Sequence, residues 1–250
     1  MKKIFQISLV LVLCSFSVND TENSDIMNFP APDEEVLLDL DEFAKESYSQ
    51  LGVKDLFFKP YKLALQGYYK MLASGTLRNT KYLTVVDMTK SANVERMFII
   101  DTEIWQVVHT SLVSHGMKTG GEFAQDFSNE ESSHQSSLGF FTTGEVYNGK
   151  HDMSLKLDGH EPFNDNARKR GVVIHAAEYV SQDFIKSNGR LGRSYGCPAL
   201  PFEGYDQIVN MIKDGSCFFI YYPEKDYLKK SKFINSSLIS KLTCEGDLVK

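Results

Sequence analysis

The sequence has few cysteines, little tryptophan and no excess of basic residues: its 250 residues include 4 Cys and 1 Trp, and its formal net charge is −6. Such an acidic chain is a poor partner for nucleic acid, because phosphate binding requires clustered Lys and Arg. No H-x-x-x-H or C-x-x-C pair is present, which disfavours a zinc site formed by His115, His134 and Cys197. Internal repeats and low-complexity tracts are also missing. The remaining composition, 42% hydrophobic, is typical of a globular protein with a sizeable core.

Long apolar runs are absent except at the amino terminus, where Lys2 and Lys3 precede a short one. This pattern predicts a secretory signal peptide over residues 1–17, because a membrane span needs about 20 residues. An uncleaved anchor and lipidation of Cys14 are alternatives. Lipidation is disfavoured by Leu13, which lies where lipoprotein signals have a small residue. Cleavage would remove two lysines and no acid, leaving a more acidic exported protein without a membrane span.

The segment before the folded part is polar, and its two prolines predict a linker over residues 18–33. Apolar residues then recur at helical spacing from Val36 to Tyr48 and again from Tyr61 to Leu72. We therefore predict two helices that form an amino-terminal extension over residues 34–79. Their apolar stripes are interpreted as core contacts.

From Tyr82 onward, short runs rich in β-branched and aromatic residues alternate with clusters of Gly, Asn, Asp and Ser. They predict a mainly β fold, a largely antiparallel sandwich or barrel, over residues 80–225. The runs are YLTVVD, RMFIID, IWQVVHTSLV, LGFFTTGEVY, SLKLDG, GVVIH and SCFFIYY. Residues 226–250 are interpreted as a carboxy-terminal tail, and the basic cluster from Lys225 to Lys232 as a solvated face.

Three segments without a clear period interrupt the β-rich region, at residues 116–137, 159–170 and 187–196. Irregular segments as long as the first are uncommon in compact domains and are usually functional or disordered. The second and third segments flank His175 and Cys197. The sheet is therefore predicted to be a platform for a site built from loops.

Signal cleavage would leave three cysteines, and an odd number in an exported protein leaves at least one free thiol unless chains pair. Cys217 lies in an apolar run typical of a buried strand, and Cys244 lies in a polar segment. Cys197 is different, because the stretch GRLGRSYGCPALP places it between a glycine and a proline. A thiol becomes a useful nucleophile when a neighbour takes its proton, usually a histidine. His175, at the end of the GVVIH run, is the candidate partner.

The residues next to Cys197 are consistent with catalysis. Gly196 has no side chain to block an approaching substrate, and Pro198 stiffens the backbone. Amides at or near Tyr195, Gly196 and Cys197 could stabilise a developing oxyanion. The alternative is structural, since a cysteine beside proline is often semi-buried and a histidine after an apolar run is often a core residue.

The segment HAAEYVSQDFIKSNGRLGRSYGCPALP resembles the signature of the L,D-transpeptidase catalytic domain, a histidine followed by a Ser-x-Gly-Cys motif. His175, Ser194, Gly196 and Cys197 carry this motif here. Upstream segments, including TSLVSHGMKTGG and FNDNARKRGVVIH, resemble murein L,D-transpeptidase catalytic domain proteins of Gram-negative bacteria. The resemblance extends from about Tyr82 to Pro223.

The resemblance implies a periplasmic or envelope-associated enzyme that acts on peptidoglycan stem peptides, without metal or nucleotide. In this family the cysteine attacks the bond between the third stem residue and the terminal D-alanine, and the thioester then passes to an amine of another stem. Cys197 would be the nucleophile and His175 the base, while Ser194 and Gly196 would shape the pocket. Carbapenems commonly react with such enzymes.

Two positions depart from the commonest family pattern. Tyr195 stands where a histidine is usual, and Ala199 stands where an arginine is usual. Arg193 or Arg190 is therefore the candidate for binding the substrate carboxylate, and solvent exposure of both arginines is the alternative. His134 is a further candidate for lining the cleft.

Three alternatives remain open at this stage. Asp158, Glu178 or a backbone carbonyl could orient the imidazole of His175, because a base works best when its second nitrogen is held. Water could replace the amine acceptor, which would give an L,D-carboxypeptidase or an endopeptidase. The third alternative is a non-catalytic binding module, which would bind stem peptides in the same cleft and catalyse no reaction.

Overall fold

The computed structural model describes residues 40–149 and 152–235. The predicted signal peptide, the linker, Cys14 and Cys244 lie outside these residues. The two predicted helices are confirmed as α1 (Leu40–Gln50) and α2 (Phe58–Ala73). No helix among the described residues is long and apolar enough to cross a membrane.

The strands form one eight-stranded sheet, which confirms the prediction of a mainly β fold. All seven predicted runs contain a strand. The strands are β1 (Tyr82–Asp87), β2 (Met97–Asp101), β3 (Gln106–Ser111), β4 (Gly139–Gly149), β5 (Asp152–Gly159), β6 (Val173–Ala176), β7 (Ala199–Leu200) and β8 (Cys217–Tyr221). Three further helices are described, α3 (Gln182–Asn188), α4 (Tyr205–Ile212) and α5 (Lys225–Lys230).

The order of strands in the sheet is β3-β2-β1-β8-β4-β5-β6-β7. Most neighbours are antiparallel, but β1 pairs with β8 and β6 pairs with β7 in parallel. The β6–β7 pair forms one edge of the sheet, and the chain between these strands contains α3 and the segment that leads to Cys197. One crossover connection therefore brings Cys197 beside the strand that carries His175.

Helix α2 packs directly on the centre of the sheet and shares one hydrophobic core with it. Gly67 allows the close approach, because a Cβ at this position would lie 2.0 Å from Cζ of Phe140. Phe140 is fully buried and stacks on Phe219 with ring centroids 4.1 Å apart. The helix thus fixes the strands from one face.

The described part of the predicted tail is folded against the same core. Tyr227 of α5 is fully buried, and Phe233 and Ile234 are buried beyond it. The Tyr227 hydroxyl donates to Glu161 at 3.1 Å, which joins this segment to the turn after β5. The basic residues of α5 lie outside, where Lys230 pairs with Asp226 at 2.8 Å.

Candidate active site

Cys197 lies in a tight turn just before β7. The Ser194 hydroxyl donates to the Cys197 carbonyl at 2.6 Å and accepts the Gly196 amide at 3.0 Å. Two hydrogen bonds from one short side chain fix the turn, so Ser194 shapes the backbone that presents the thiol.

The Cys197 thiol is partly exposed and lies against the start of β6. The Val173 amide donates to Sγ at 3.5 Å, and Sγ lies 3.7 Å from the Gly171 carbonyl oxygen. Burial raises the pKa of the thiol, while the Val173 amide and then Arg170 act in the opposite direction. The group present at neutral pH is therefore the thiol, and its use as a nucleophile would require a base.

The strand pairing brings His175 close to Cys197. In the parallel β6–β7 pair, His175 is opposite Ala199, so Cys197, two residues earlier, is level with Val173. The Val173 contact with Sγ agrees with this register. One two-residue repeat of a strand, about 7 Å, separates Val173 from His175, so the register makes His175 and Cys197 diagonal neighbours across the two chain segments.

The imidazole of His175 is buried, and its Nδ1 lies 3.0 Å from the Ala176 carbonyl oxygen. A carbonyl oxygen only accepts, so Nδ1 carries a proton, and in the neutral form of the ring Nε2 would be the acceptor. The sequence left Asp158, Glu178 and a backbone carbonyl as candidates for orienting the imidazole, and the group that contacts Nδ1 is a backbone carbonyl. Asp158 instead pairs with Arg168, and the Glu178 side chain is exposed.

The 116–137 loop covers the Cys197 turn and donates hydrogen bonds to the backbone carbonyls of that turn. The Met117 amide donates to the Ser194 carbonyl at 2.7 Å, and the Ser136 hydroxyl donates to the Gly196 carbonyl at 3.3 Å. Gly196 has a φ of +126°, and a Cβ there would lie 2.7 Å from the Gln135 carbonyl oxygen. The packing of the loop therefore explains why position 196 is a glycine. The sequence had suggested a different reason, access of substrate to the sulfur.

Two aromatic side chains lie next to each other at the surface of the Cys197 turn. Tyr195 is 72% exposed, and its ring centroid lies 4.7 Å from that of His134. His134 has a φ of +56° and belongs to the 116–137 loop. The residue that replaces the usual histidine thus contacts a histidine from the covering loop.

His115 is buried at the base of the 116–137 loop. Its Nδ1 lies 2.8 Å from Nη2 of Arg96, and Nε2 lies 3.1 Å from the Gly121 carbonyl oxygen. A guanidinium only donates, so the imidazole is neutral and Nε2–H donates to Gly121. Burial, and then Arg96, lower the pKa of His115 to about 4.

This shift predicts acid sensitivity of the folded state. The unfolded chain binds a proton at His115 below pH 6.5 and the folded chain only below about 4, so this residue's stability contribution falls as pH falls through that window. The decrease corresponds to about 3 kcal/mol between pH 7 and pH 4. His115→Asn, which keeps an acceptor for Arg96, should flatten this part of the dependence. Urea titrations of both proteins from pH 4 to pH 8 measure the free energy of unfolding. The same pH dependence in the parent protein and in His115→Asn would contradict the prediction.

Arg190 and Arg193 line one cavity of about 280 Å³ with Met117, Tyr179, Phe184 and Gly192. Arg193 donates to the carbonyls of Met117 at 3.0 Å and Gly120 at 2.8 Å, and Arg190 donates to Leu191 at 2.8 Å. Burial, and then repulsion from Arg190, lower the pKa of Arg193. The lining contains two guanidinium groups and no acid, which favours an anionic ligand.

Tyr179 connects this cavity with the thiol. Burial, and then the charge of a Cys197 thiolate, raise the pKa of Tyr179 to about 12. A Cβ at Gly192 would lie 2.4 Å from Cβ of Tyr179, so the segment before Cys197 packs closely on this ring. Tyr179, which lines the cavity, is thus close enough to Cys197 for the charge of a thiolate to act on its hydroxyl.

Arg170 carries no signal in the sequence that marks it as a residue of the site. This half-buried side chain lies beside the Cys197 turn, where it donates to the Gln135 carbonyl at 2.8 Å and the Ser128 carbonyl at 2.9 Å. In the sequence it is one of three consecutive basic residues, and nothing in that pattern distinguishes it. Only the fold shows that it points inward.

The remaining candidates lie apart from this site. Cys217 is buried in β8 as predicted, with Sγ 3.8 Å from Sδ of Met71. Among the residues that the structure describes, no group of three or more His, Cys, Asp or Glu side chains could hold a metal ion.

The model of the L,D-transpeptidase catalytic domain family matches residues 53–221, more than half of the chain. The chain therefore belongs to the L,D-transpeptidase catalytic domain family. The match begins before β1 and includes α2, which packs on the sheet. No curated protein matches the chain.

Solved structures with detectable similarity include an L,D-transpeptidase from Mycobacterium smegmatis, 14% identical with a TM-score of 0.37. That match covers 57% of this chain and 59% of the other, less than two thirds of its length. An L,D-transpeptidase from Stackebrandtia nassauensis is 11% identical with a TM-score of 0.35, covering 72% of this chain and 76% of the other. Bd1075 from Bdellovibrio bacteriovorus is 12% identical with a TM-score of 0.33, covering 65% and 53%. These TM-scores are too low to support an argument about activity.

Proposed function

We propose that this protein is a peptidoglycan L,D-transpeptidase that forms 3–3 cross-links, or attaches proteins, through a thioester at Cys197. The observation that supports this most is the β6–β7 register, which places a partly exposed thiol beside the strand that carries His175. Peptidoglycan lies outside the cytoplasmic membrane, so this activity requires the export predicted from residues 1–17.

In the first half-reaction, His175 Nε2 takes the proton of the Cys197 thiol as Sγ attacks the carbonyl of the third stem residue. The S–C bond forms, the C–N bond to the terminal D-alanine breaks, and the imidazolium protonates the leaving amine. A neutral resting thiol suits this general-base route, because the proton moves only when the substrate carbonyl is present. The Ala176 carbonyl keeps the ring in the required tautomer.

The oxyanion that forms during attack needs donors. Among the residues that the structure describes, the backbone amides of Tyr195 and Cys197 contact no acceptor, whereas the Gly196 amide donates to Ser194. The amides of Tyr195 and Cys197 are therefore the available donors in this turn, and a well-placed donor contributes about 3 kcal/mol to the transition state.

In the second half-reaction, an amine of another stem attacks the thioester carbonyl and loses its proton to His175 Nε2. The new C–N bond forms, the C–S bond breaks, and Sγ leaves as the thiolate, which the imidazolium then protonates. Stem peptides carry carboxylates, and the cavity with Arg190 and Arg193 offers them two cationic groups. We assign substrate carboxylate binding to this cavity. Its aromatic and apolar lining, Tyr179, Phe184 and Met117, would contact the rest of the peptide.

Digestion of muropeptides with the purified protein tests this function. Tetrapeptide substrate should yield D-alanine and 3–3 cross-linked dimers, which mass spectrometry identifies. D-alanine with tripeptide and no dimer would show that water is the acceptor and would make the protein a carboxypeptidase. Binding of substrate without any release of D-alanine would contradict both activities.

A further inference from the structure

Arg170 is held in place by neutral groups alone. Nη1 donates to the Ser128 carbonyl at 2.9 Å and to the Ser137 hydroxyl. Nη2 donates to the Gln135 carbonyl at 2.8 Å and the Ser133 hydroxyl at 3.2 Å. In the part of the chain that the structure describes, this guanidinium forms no ion pair. A half-buried cation therefore keeps its full charge in a fixed position.

The two basic neighbours of Arg170 in sequence are placed differently. Arg168 is bound by Asp158 and Glu145, with its Nη1 3.0 Å from Glu145, and Lys169 lies 3.4 Å from Glu131 with most of its side chain exposed. Their charges are compensated at the surface. Of this basic triplet, Arg170 is thus the member whose charge is directed toward the interior.

The fixed charge lies next to the reactive sulfur. The carbonyl of Gly171, the residue after Arg170, lies 3.7 Å from Cys197 Sγ. Nη2 of Arg170 lies 3.5 Å from the position that a Cβ would occupy at Gly196, the residue before Cys197. The guanidinium thus lies beside Gly196, the residue before the nucleophile, and the backbone that follows Arg170 contacts the sulfur itself.

We propose that Arg170 is a positioning residue that stabilises the Cys197 thiolate and, through its four hydrogen bonds, holds the 116–137 loop over the reaction site. This inference rests on the proposed role of Cys197 as the nucleophile. The sulfur becomes negative when the thiol loses its proton to His175 in the first half-reaction and again when Sγ leaves the thioester in the second, and it then lies beside a positive charge that forms no ion pair among the described residues. Arg170 touches neither substrate nor a transferred proton in this account.

The electrostatics of the site agree with this role. Burial raises the pKa of the Cys197 thiol, and Arg170 is one of two neighbours that lower it. Burial lowers the pKa of Arg170, and the Cys197 thiolate is the largest of the charges that act against this decrease. Other charges near Arg170 include Glu130, which acts in the same direction as the thiolate. Removal of the guanidinium leaves the Val173 amide as the remaining stabilising contact.

Iodoacetamide alkylation of Cys197 across pH 6 to 10 tests the proposal on the full-length protein, with intact mass as the readout. At pH 7, Arg170→Gln should slow alkylation by about three- to tenfold, and the midpoint of the pH profile should move upward. Arg170→Lys, which keeps the charge, should recover most of the rate. Lys169→Gln removes one positive charge from the adjacent, exposed position and should leave the profile unchanged.

Loosening of the loop is separated from loss of charge by Ser137→Ala, which removes one hydrogen-bond partner of Arg170 and no charge. Faster alkylation of Ser137→Ala with an unchanged midpoint would be the expected effect of a more open loop. An unchanged midpoint in Arg170→Gln, or an equal upward shift in Lys169→Gln, would overturn the proposal for Arg170. Cys197 could still be the nucleophile in that case, because cross-linking activity that depends on Cys197 is measured separately.

Discussion

Cys197→Ser is expected to abolish formation of 3–3 cross-linked muropeptides, with kcat reduced by at least about 10³-fold. The hydroxyl is nearly isosteric with the thiol, so substrate binding and the fold should persist. Serine is a far weaker nucleophile at neutral pH, and no strong base beyond His175 is available to activate it. Release of D-alanine from tetrapeptide substrate measures the loss.

The matched control is Cys217→Ser, the other cysteine in the described residues. Cys217 is fully buried in β8, so this variant should lose stability and keep its activity per folded molecule. Retained cross-linking by Cys197→Ser, or loss of turnover by folded Cys217→Ser, would contradict the assignment of the nucleophile.

His175→Gln is expected to lower kcat by about 10²- to 10⁴-fold and to leave KM for the tetrapeptide nearly unchanged. In the proposed mechanism the imidazole moves a proton, whereas the arginine-lined cavity binds the substrate. Because the resting thiol is protonated, activity of the variant should rise with pH as the thiol ionises without help. The kcat of the variant measured from pH 6 to pH 10 shows this rise.

His109→Gln provides the control for the His175 variant, because His109 lies on β3 at the other edge of the sheet. It should retain normal kcat. If His175→Gln kept the same kcat and the same pH profile as the parent protein, another group would have to be the base.

The strands were predictable because short runs of β-branched and aromatic residues are bounded by turn residues, and each run contains a strand in the structure. The order of the strands in the sheet was not predictable from the sequence. The parallel β1–β8 pairing joins the two ends of the domain, and such contacts have no local signal in the sequence. The register between β6 and β7, which brings His175 near Cys197, likewise became visible only in the fold.

The candidate site was predictable where single residues carry chemistry. Cys197 and His175 were predicted because a histidine followed by a Ser-x-Gly-Cys motif resembles a family signature, whereas the two residues alone also allowed a structural role. Arg170 had no such signal, since its role depends on which of three adjacent basic residues turns inward. The function of Ser194 as a backbone clamp and the packing reason for Gly196 also depend on loop contacts that spacing does not encode.

The most direct test of the central claim is the intact mass of the protein after incubation with a carbapenem, followed by mapping of the modified peptide. One adduct on the peptide that contains Cys197, absent from Cys197→Ala, is the predicted result. An adduct that persists in Cys197→Ala would contradict the assignment of a nucleophilic thiol beside His175. Cross-linking activity without any adduct would contradict it as well.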